Sequence, residues 1–230
     1  MLNSKRVISI IPVRGGSKGI PRKNLLILEG ETLLDRAIKQ SLSCKMIDAT
    51  YVSTDSQEMF EISKKYNANT KNIRPKELAS DKASTIDVVL HVLKEMNESD
   101  VIVILLQVTT PFRSMDDFHK VFELYSKDAC NSVASVSLLS STHPDKVQVI
   151  NNGYLQSYLS KSSHTPRQSL PNVYSLNGAF YIAHESVIRE EYGFISSKTK
   201  PYLMPYERSV NLDTQEDLML MNCLISNGLV

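Results

Sequence analysis

Apolar positions along the first 130 residues follow two periods in turn. Apolar-rich stretches at 7–12, 49–53 and 101–106 read as strands, and the last is a continuous apolar run, as expected of a strand buried on both faces. Between them a helical spacing recurs at 32–43, 56–66 and 85–96, where Ile86, Val89, Leu93 and Met96 mark one face. Three pairs have the spacing of reciprocal helix caps: Asp55 with Glu58, Ser84 with Asp87, and Ser114 with Asp117. The alternation predicts an α/β fold, a mainly parallel Rossmann-like sheet with helices on both faces.

After a further strand at 132–139 the pattern changes. Residues 140–175 hold short alternating stretches around Asn151-Asn152-Gly153, a hairpin signal, with Tyr154 and Tyr158 but too few apolar positions for a core. Such a segment is most stable when packed on another surface. The chain returns to the sheet at 179–183 and ends in a helix at 214–226, for which Asp213 and Glu216 offer a cap. With no repeat and no linker, residues 1–230 read as one domain with 140–175 as an inserted arm.

Composition narrows the function classes. A length of 230 residues with 42% hydrophobic content supports one large core. No apolar run approaches the span of a membrane helix, and charges break the N-terminal stretch before a signal core develops, so a cytoplasmic protein is expected. Three separated cysteines suggest neither a disulfide framework nor a thiolate metal site. A net charge of +1 argues against nucleic-acid binding. Charge is instead local: from Lys146 to His184 there is no acid, while Lys146, Lys161 and Arg167 are present. That stretch is either a polar hairpin lacking acids by chance or a surface facing an anion.

Chemistry concentrates in the loop after the first strand, Val13-Arg14-Gly15-Gly16-Ser17-Lys18-Gly19-Ile20-Pro21-Arg22-Lys23-Asn24, which carries four bases and no acid. Glycines permit positive φ and close backbone approach, Ser17 offers a hydroxyl, and Arg14, Lys18 and Lys23 can converge on one polyanion. Gly19 is followed by Ile20-Pro21 rather than Lys and Ser or Thr, which excludes a Walker loop. Pro21 and the apolar run at 25–28 argue against the long helix that a dinucleotide fingerprint opens. The loop reads as a triphosphate site, with a basic surface loop as the bland alternative.

These residues resemble the cytidylyltransferases that activate sialic acid and related nine-carbon keto-sugar acids. The family's N-terminal pattern Ile-Pro-Ala-Arg-x-x-Ser-Lys-Gly-x-x-x-Lys-Asn is matched with Val13 in place of the alanine. Further stretches follow in the family's order: Arg74-Pro75-Lys76-Glu77-Leu78-Ala79 with Asp81, Leu105 through Arg113, and His143-Pro144-Asp145-Lys146. Pro166-Arg167-Gln168, Asn177 through Ile182, and Asn211-Leu212-Asp213-Thr214 complete the series. Keto-deoxyoctonate relatives usually carry Lys-Pro where this chain has Lys23-Asn24, so the nine-carbon branch fits better.

The resemblance implies a nucleotide-diphospho-sugar transferase type of fold and the reaction of CTP with a nonulosonic acid to give CMP-sugar and pyrophosphate. It places Arg14, Ser17, Lys18 and Lys23 on the triphosphate, and Asn24, Arg74, Ala83 and Thr85 around the cytosine, although Ser84 and Thr85 could equally serve a helix cap. Gln107 and Tyr181 fall at the polyol and acyl groups, Lys146 and Arg167 near the carboxylate, although a core role suits Tyr181 as well. None of Arg14, Lys18 and Lys23 is a proton acceptor, so a metal-bound hydroxide or ionised groups of the substrate would take the proton.

For the metal, Mg²⁺, the family presents Asp-x-Asp where this chain has Asn211-Leu212-Asp213. Asp213 stays a carboxylate ligand, and Asn211 can ligate only through its carbonyl oxygen, without the charge. The resemblance also implies a two-fold homodimer in which the arm carries Lys146 and Arg167 into the partner's active site. Two alternatives stay open: a nucleotidylyltransferase for another sugar acid, such as keto-deoxyoctonate, or a sugar phosphate, and a nucleotide-binding protein that has lost catalysis.

Overall fold

The computed structural model describes residues 2, 4–16, 19–127, 130–140, 142–159 and 166–230. The chain runs β1 (Arg6–Pro12), β2 (Ile27–Leu28), β3 (Glu31–Thr32), α1 (Leu33–Ser43), β4 (Ala49–Ser53), α2 (Gln57–Lys65), α3 (Thr85–Met96) and β5 (Val101–Leu105). It continues through α4 (Met115–Lys127), β6 (Ser132–Leu138), β7 (Gln148–Asn151), β8 (Tyr154–Ser157), β9 (Tyr174–His184), α5 (Glu185–Glu191), β10 (Thr199–Leu203) and α6 (Gln215–Ser226).

Six strands form the central sheet in the order β10-β6-β9-β5-β1-β4. β1 pairs in parallel with β4 and β5, and β6 with β10, while β9 lies antiparallel between β5 and β6. Side chains of β1 and β5 divide between two cores by the two-residue period of a strand. Val7, Ile11, Ile102 and Ile104 face the helices α1, α2, α4 and α6, while Ile8, Ile10, Val101, Val103 and Leu105 face α3 and α5. Burial on both faces explains the unbroken apolar run of β5.

Local signals mostly act as their chemistry dictates. Ser84 caps α3 by accepting the Asp87 N–H at 3.0 Å, and Ser114 and Asp117 form a reciprocal pair at the start of α4. Two caps differ from the sequence reading. Ser56, not Asp55, caps α2 by accepting the Met59 N–H, because Asp55 is turned to the N-terminal loop. At α6 the capping box is Thr214 with Asp217, so Asp213 lies one residue outside the helix. The edge strand β10 and the short β2–β3 hairpin escaped the pattern. Pro201 interrupts the former, a residue that only an edge position tolerates, and the latter is too short to show alternation.

Within 140–175, β7 and β8 form a two-stranded hairpin closed by Asn152 and Gly153 at φ of 50° and 82°, the primed turn that Asn-Gly favours. It forms a sheet separate from the central one and leaves Ile150, Tyr154, Leu155 and Tyr158 exposed. The hairpin expected around Asn151-Asn152-Gly153 is therefore present.

One buried acid ties α4 to the C-terminal third. Asp117 is fully buried and accepts hydrogen bonds from Tyr202 Oη (2.7 Å), Arg208 Nη2 (2.8 Å) and the Ser114 N–H and Oγ (each 2.8 Å). Burial, followed by this acid, pushes the Tyr202 phenol above its ordinary pKa. Asp117→Ala is expected to cost about 3 kcal/mol, because it removes a cap and leaves several donors unpaired, whereas Tyr202→Phe should cost about 1 kcal/mol. Denaturant unfolding of the two variants checks the ranking, and equal losses would contradict the central place of the carboxylate.

Candidate functional site

The site begins where β1 ends. Val13 continues β1 by donating its N–H to Ser53 O at 2.9 Å, and its own carbonyl accepts from Arg74 Nη2 at 2.9 Å. Arg74 is held from the other side by its N–H on Thr54 O (2.7 Å), and its guanidinium is buried 3.8 Å from Asp55. Burial lowers its pKa and the Asp55 carboxylate opposes that shift. Asp55 also accepts the Gly15 N–H at 2.9 Å, and the buried Asn24 amide donates to Arg14 O at 2.9 Å. Arg74 and Asn24 therefore pin the basic loop while lining the cleft below it.

The opposite wall is made by residues 107–109 after β5 and by 211–213 before α6. The Leu212 N–H donates to Thr109 O at 2.8 Å, which joins these two segments. The basic loop then closes against the second of them at Gly19, where an added Cβ would lie 2.2 Å from the Asp213 carbonyl oxygen. Of the two freedoms that glycine gives this loop, close backbone approach is the one used at Gly19.

The result is a cleft of about 400 Å³ beyond the carboxyl ends of the parallel strands, where open α/β sheets bind ligands. It is lined by Arg14, Gly19, Lys23, Asn24, Arg74, Ala83, Thr85, Gln107 and Asp213, among others. The structure thus brings together residues from four separate stretches of chain. Two of its cations are already paired: Arg14 Nη1 with Asp81 Oδ1 at 2.8 Å and Lys23 Nζ with Asp213 Oδ1 at 2.7 Å.

Other expected residues are placed elsewhere. Tyr181 does not line the cleft: paired in register with Leu105, it packs its ring 5.9 Å from Phe194 against the second core, and burial raises its pKa. The core reading of this tyrosine holds within the single chain. Lys146 ends a 3-10 turn (Pro144–Lys146) in the arm and does not line the cleft either. Ser17 and Lys18 lie outside the described residues, as does the Arg167 side chain.

At the position where the resemblance implies a metal, Asn211 Nδ2 donates to Asp213 Oδ2, and Asn211 Oδ1 is buried with no hydrogen-bond partner among the described residues. Turning this amide over would set an unused carbonyl oxygen beside the carboxylate. One carboxylate plus one amide oxygen suits Mg²⁺, which needs few protein ligands and retains most of its water. Among the described residues no group of three or more His, Cys, Asp or Glu side chains could hold a metal.

Two further residues of the motifs shape the site. Asp81 was read only as part of a stretch, yet it faces Arg14; an acid inside an otherwise ligand-facing segment was the available signal. Arg113 is buried and donates to the carbonyls of Gln107 (2.8 Å) and Ala179 (3.3 Å), with burial lowering its pKa to about 9. Its signal in the sequence was only its position, six residues after Gln107.

Comparison with known proteins agrees with this geometry. A sequence model of the family described as cytidylyltransferase matches residues 8–226. CMP-N,N'-diacetyllegionaminic acid synthase of Legionella pneumophila is 32% identical over 96% of both chains. N-acylneuraminate cytidylyltransferase of Streptococcus agalactiae is 32% identical over 92% of this chain, which spans about half the length of that relative. A solved structure of CMP:2-keto-3-deoxy-manno-octonic acid synthetase complexed with CTP shares the fold, with a TM-score of 0.67 at 18% identity over 97% of this chain and 100% of that one. The family match across nearly all of the chain, on a fold that brings the motif residues into one cleft, shows that the chain belongs to the cytidylyltransferase family.

Proposed function

We propose that this chain is a CMP-nonulosonate synthetase, joining CTP to a nine-carbon keto-sugar acid of the sialic or legionaminic type and releasing pyrophosphate. The observation that carries this reading is the convergence of Arg14, Lys23, Asn24, Arg74, Gln107 and Asp213 on one cleft. The names of the 32%-identical relatives, N-acylneuraminate cytidylyltransferase and CMP-N,N'-diacetyllegionaminic acid synthase, support the substrate class.

The anomeric hydroxyl of the sugar acid attacks the α-phosphorus in line, the bond from the α-phosphorus to the bridging oxygen breaks to release pyrophosphate, and the hydroxyl proton passes to an ionised group of the substrates. Such transfers depend on positioning and on neutralising charge. Arg14 and Lys23 exchange their acidic partners for phosphate oxygens and, with Lys18 from the same loop, offset the charge developing on the leaving group. Asn24, Arg74, Ala83 and Thr85 enclose the base, where a pyrimidine whose amide edge does not match leaves buried polar groups unpaired. Asp213 and Asn211 would hold Mg²⁺, which supplies further charge neutralisation at the phosphates.

No helix among the described residues is long and apolar enough to cross a membrane, and we place the reaction in the cytoplasm. We further propose a homodimer in which the partner copy covers the arm. Ile150, Tyr154, Leu155 and Tyr158 stand exposed on it, and the chain from Lys146 to His184 carries no acid to repel an anionic site. The arm then delivers Lys146 and Arg167 to the partner's cleft.

Pyrophosphate release measured with each nucleoside triphosphate and a panel of keto-sugar acids, keto-deoxyoctonate included, tests the reading. CTP with a nonulosonic acid should far exceed every other combination, and equal rates with UTP would refute the base assignment. For the metal, Asp213→Ala should abolish Mg²⁺-dependent turnover while Asn211→Asp keeps activity or lowers the Mg²⁺ concentration needed. A fully active Asp213→Ala enzyme would remove that residue from the metal site. For the shared site, co-expressed Arg14→Ala and Arg167→Ala chains should recover activity in about a quarter of all sites under random pairing, since each mixed dimer has one intact site. No recovery in verified mixed dimers would mean that Arg167 serves its own chain.

A further inference from the structure

Gly178 lies in a bulge of β9. Between Ala134↔Tyr181 and Val136↔Leu176 the register with β6 shifts, and the extra residues of β9 include Gly178 at φ +78°, in the left-handed region that favours glycine. A Cβ on Gly178 would meet the Gln107 side chain, at 2.2 Å from Oε1 and 3.0 Å from Cδ. The Gln107 amide therefore occupies the space that any other residue at 178 would fill.

The bulge cannot move aside. Asn177 O accepts from Thr110 Oγ1 at 2.9 Å, Ala179 O accepts from the buried Arg113 at 3.3 Å, and the Phe180 N–H donates to Ser135 Oγ at 2.8 Å. Arg113 and the Thr110 N–H also hold the carbonyl of Gln107 itself, at 2.8 and 3.3 Å. With both backbones fixed, the only part free to yield is the end of the Gln107 side chain. That amide makes no hydrogen bond among the described residues, although it lines the cleft. Its donor and acceptor are thus available to a ligand.

We propose that Gly178 is a positioning residue that sets acceptor specificity: by lacking a side chain it holds the Gln107 amide where it meets hydroxyl and acylamino groups of the sugar acid. This rests on the reading of the cleft as a CMP-nonulosonate synthetase site. The nucleotide lies against Asn24, Arg74 and Thr85, so a displaced Gln107 weakens the acceptor and spares CTP.

The test is a double-mutant cycle of Gly178→Ala and Gln107→Ala, read by acceptor KM, CTP KM and thermal unfolding. Each single change should raise acceptor KM about tenfold with CTP KM nearly unchanged, and the double variant should be no worse than either, because both remove one interaction. Gln107→Ala should also recover part of the stability that Gly178→Ala loses, a readout independent of activity. Should Gly178→Ala alone fail to fold while the double variant folds, the contact with Gln107 is upheld. Additive effects on KM, an unchanged acceptor KM, an equal rise in both KM values, or no recovery of stability would overturn the proposal. A wild-type chain that releases no pyrophosphate with any sugar acid refutes the functional reading instead, and the stability cycle still decides whether Gly178 positions Gln107.

Discussion

The cleft depends on one close approach: the Asp213 carbonyl oxygen sits where a side chain on Gly19 would be. Residue 19 follows the first strand and residue 213 precedes the last helix, so this contact brings opposite ends of the sequence to the two rims of one cavity. Neighbouring bonds support it. Leu212 is fastened to Thr109 behind β5, the capping box of Thr214 and Asp217 fixes the turn, and Lys23 reaches Asp213 from the loop side. A larger residue at 19 would force these rims apart, and every distance across the cleft would change together.

The second dependence is the central sheet itself. Because β1 and β5 are buried on both faces, their carboxyl ends are fixed relative to one another, and the loops leaving them inherit that rigidity. The antiparallel β9 then brings a bulge beside the turn after β5, where Thr110 and Arg113 attach the two. Arg113 is a buried cation with no acid in hydrogen-bond contact among the described residues; its Nε donates to the Gln40 amide oxygen and its Nη1 to backbone carbonyls, while its Nη2 has no hydrogen-bond partner there. Its positive charge therefore acts as a rivet for backbone dipoles.

Much of this was legible in the residues. β4 and α3 were read to the residue, since an apolar run and a capped amphipathic stretch are local patterns. The cleft members Arg14, Lys23, Asn24, Arg74, Thr85, Gln107 and Asp213 were readable because motif order identified them, and the fold then brought them together. Tyr181 was not, because strand position alone cannot say which face a residue turns to when both are buried. The role of Gly19 was also hidden: a glycine kept for a neighbour's approach looks the same in sequence as one kept for its φ. The Asp55 cap failed for a related reason, since its carboxylate had a distant partner in Gly15.

The ion pairs of Arg14 with Asp81 and Lys23 with Asp213 make the cleft an ion exchanger rather than a bare positive basin. Each cation is already compensated, so an incoming anion gains only the difference between its own contacts and those it displaces. A singly charged ion can displace one carboxylate at little net gain, whereas a ligand with several linked charges displaces both for a single loss of translational freedom. Selection by number of linked charges follows from acids placed beside the bases.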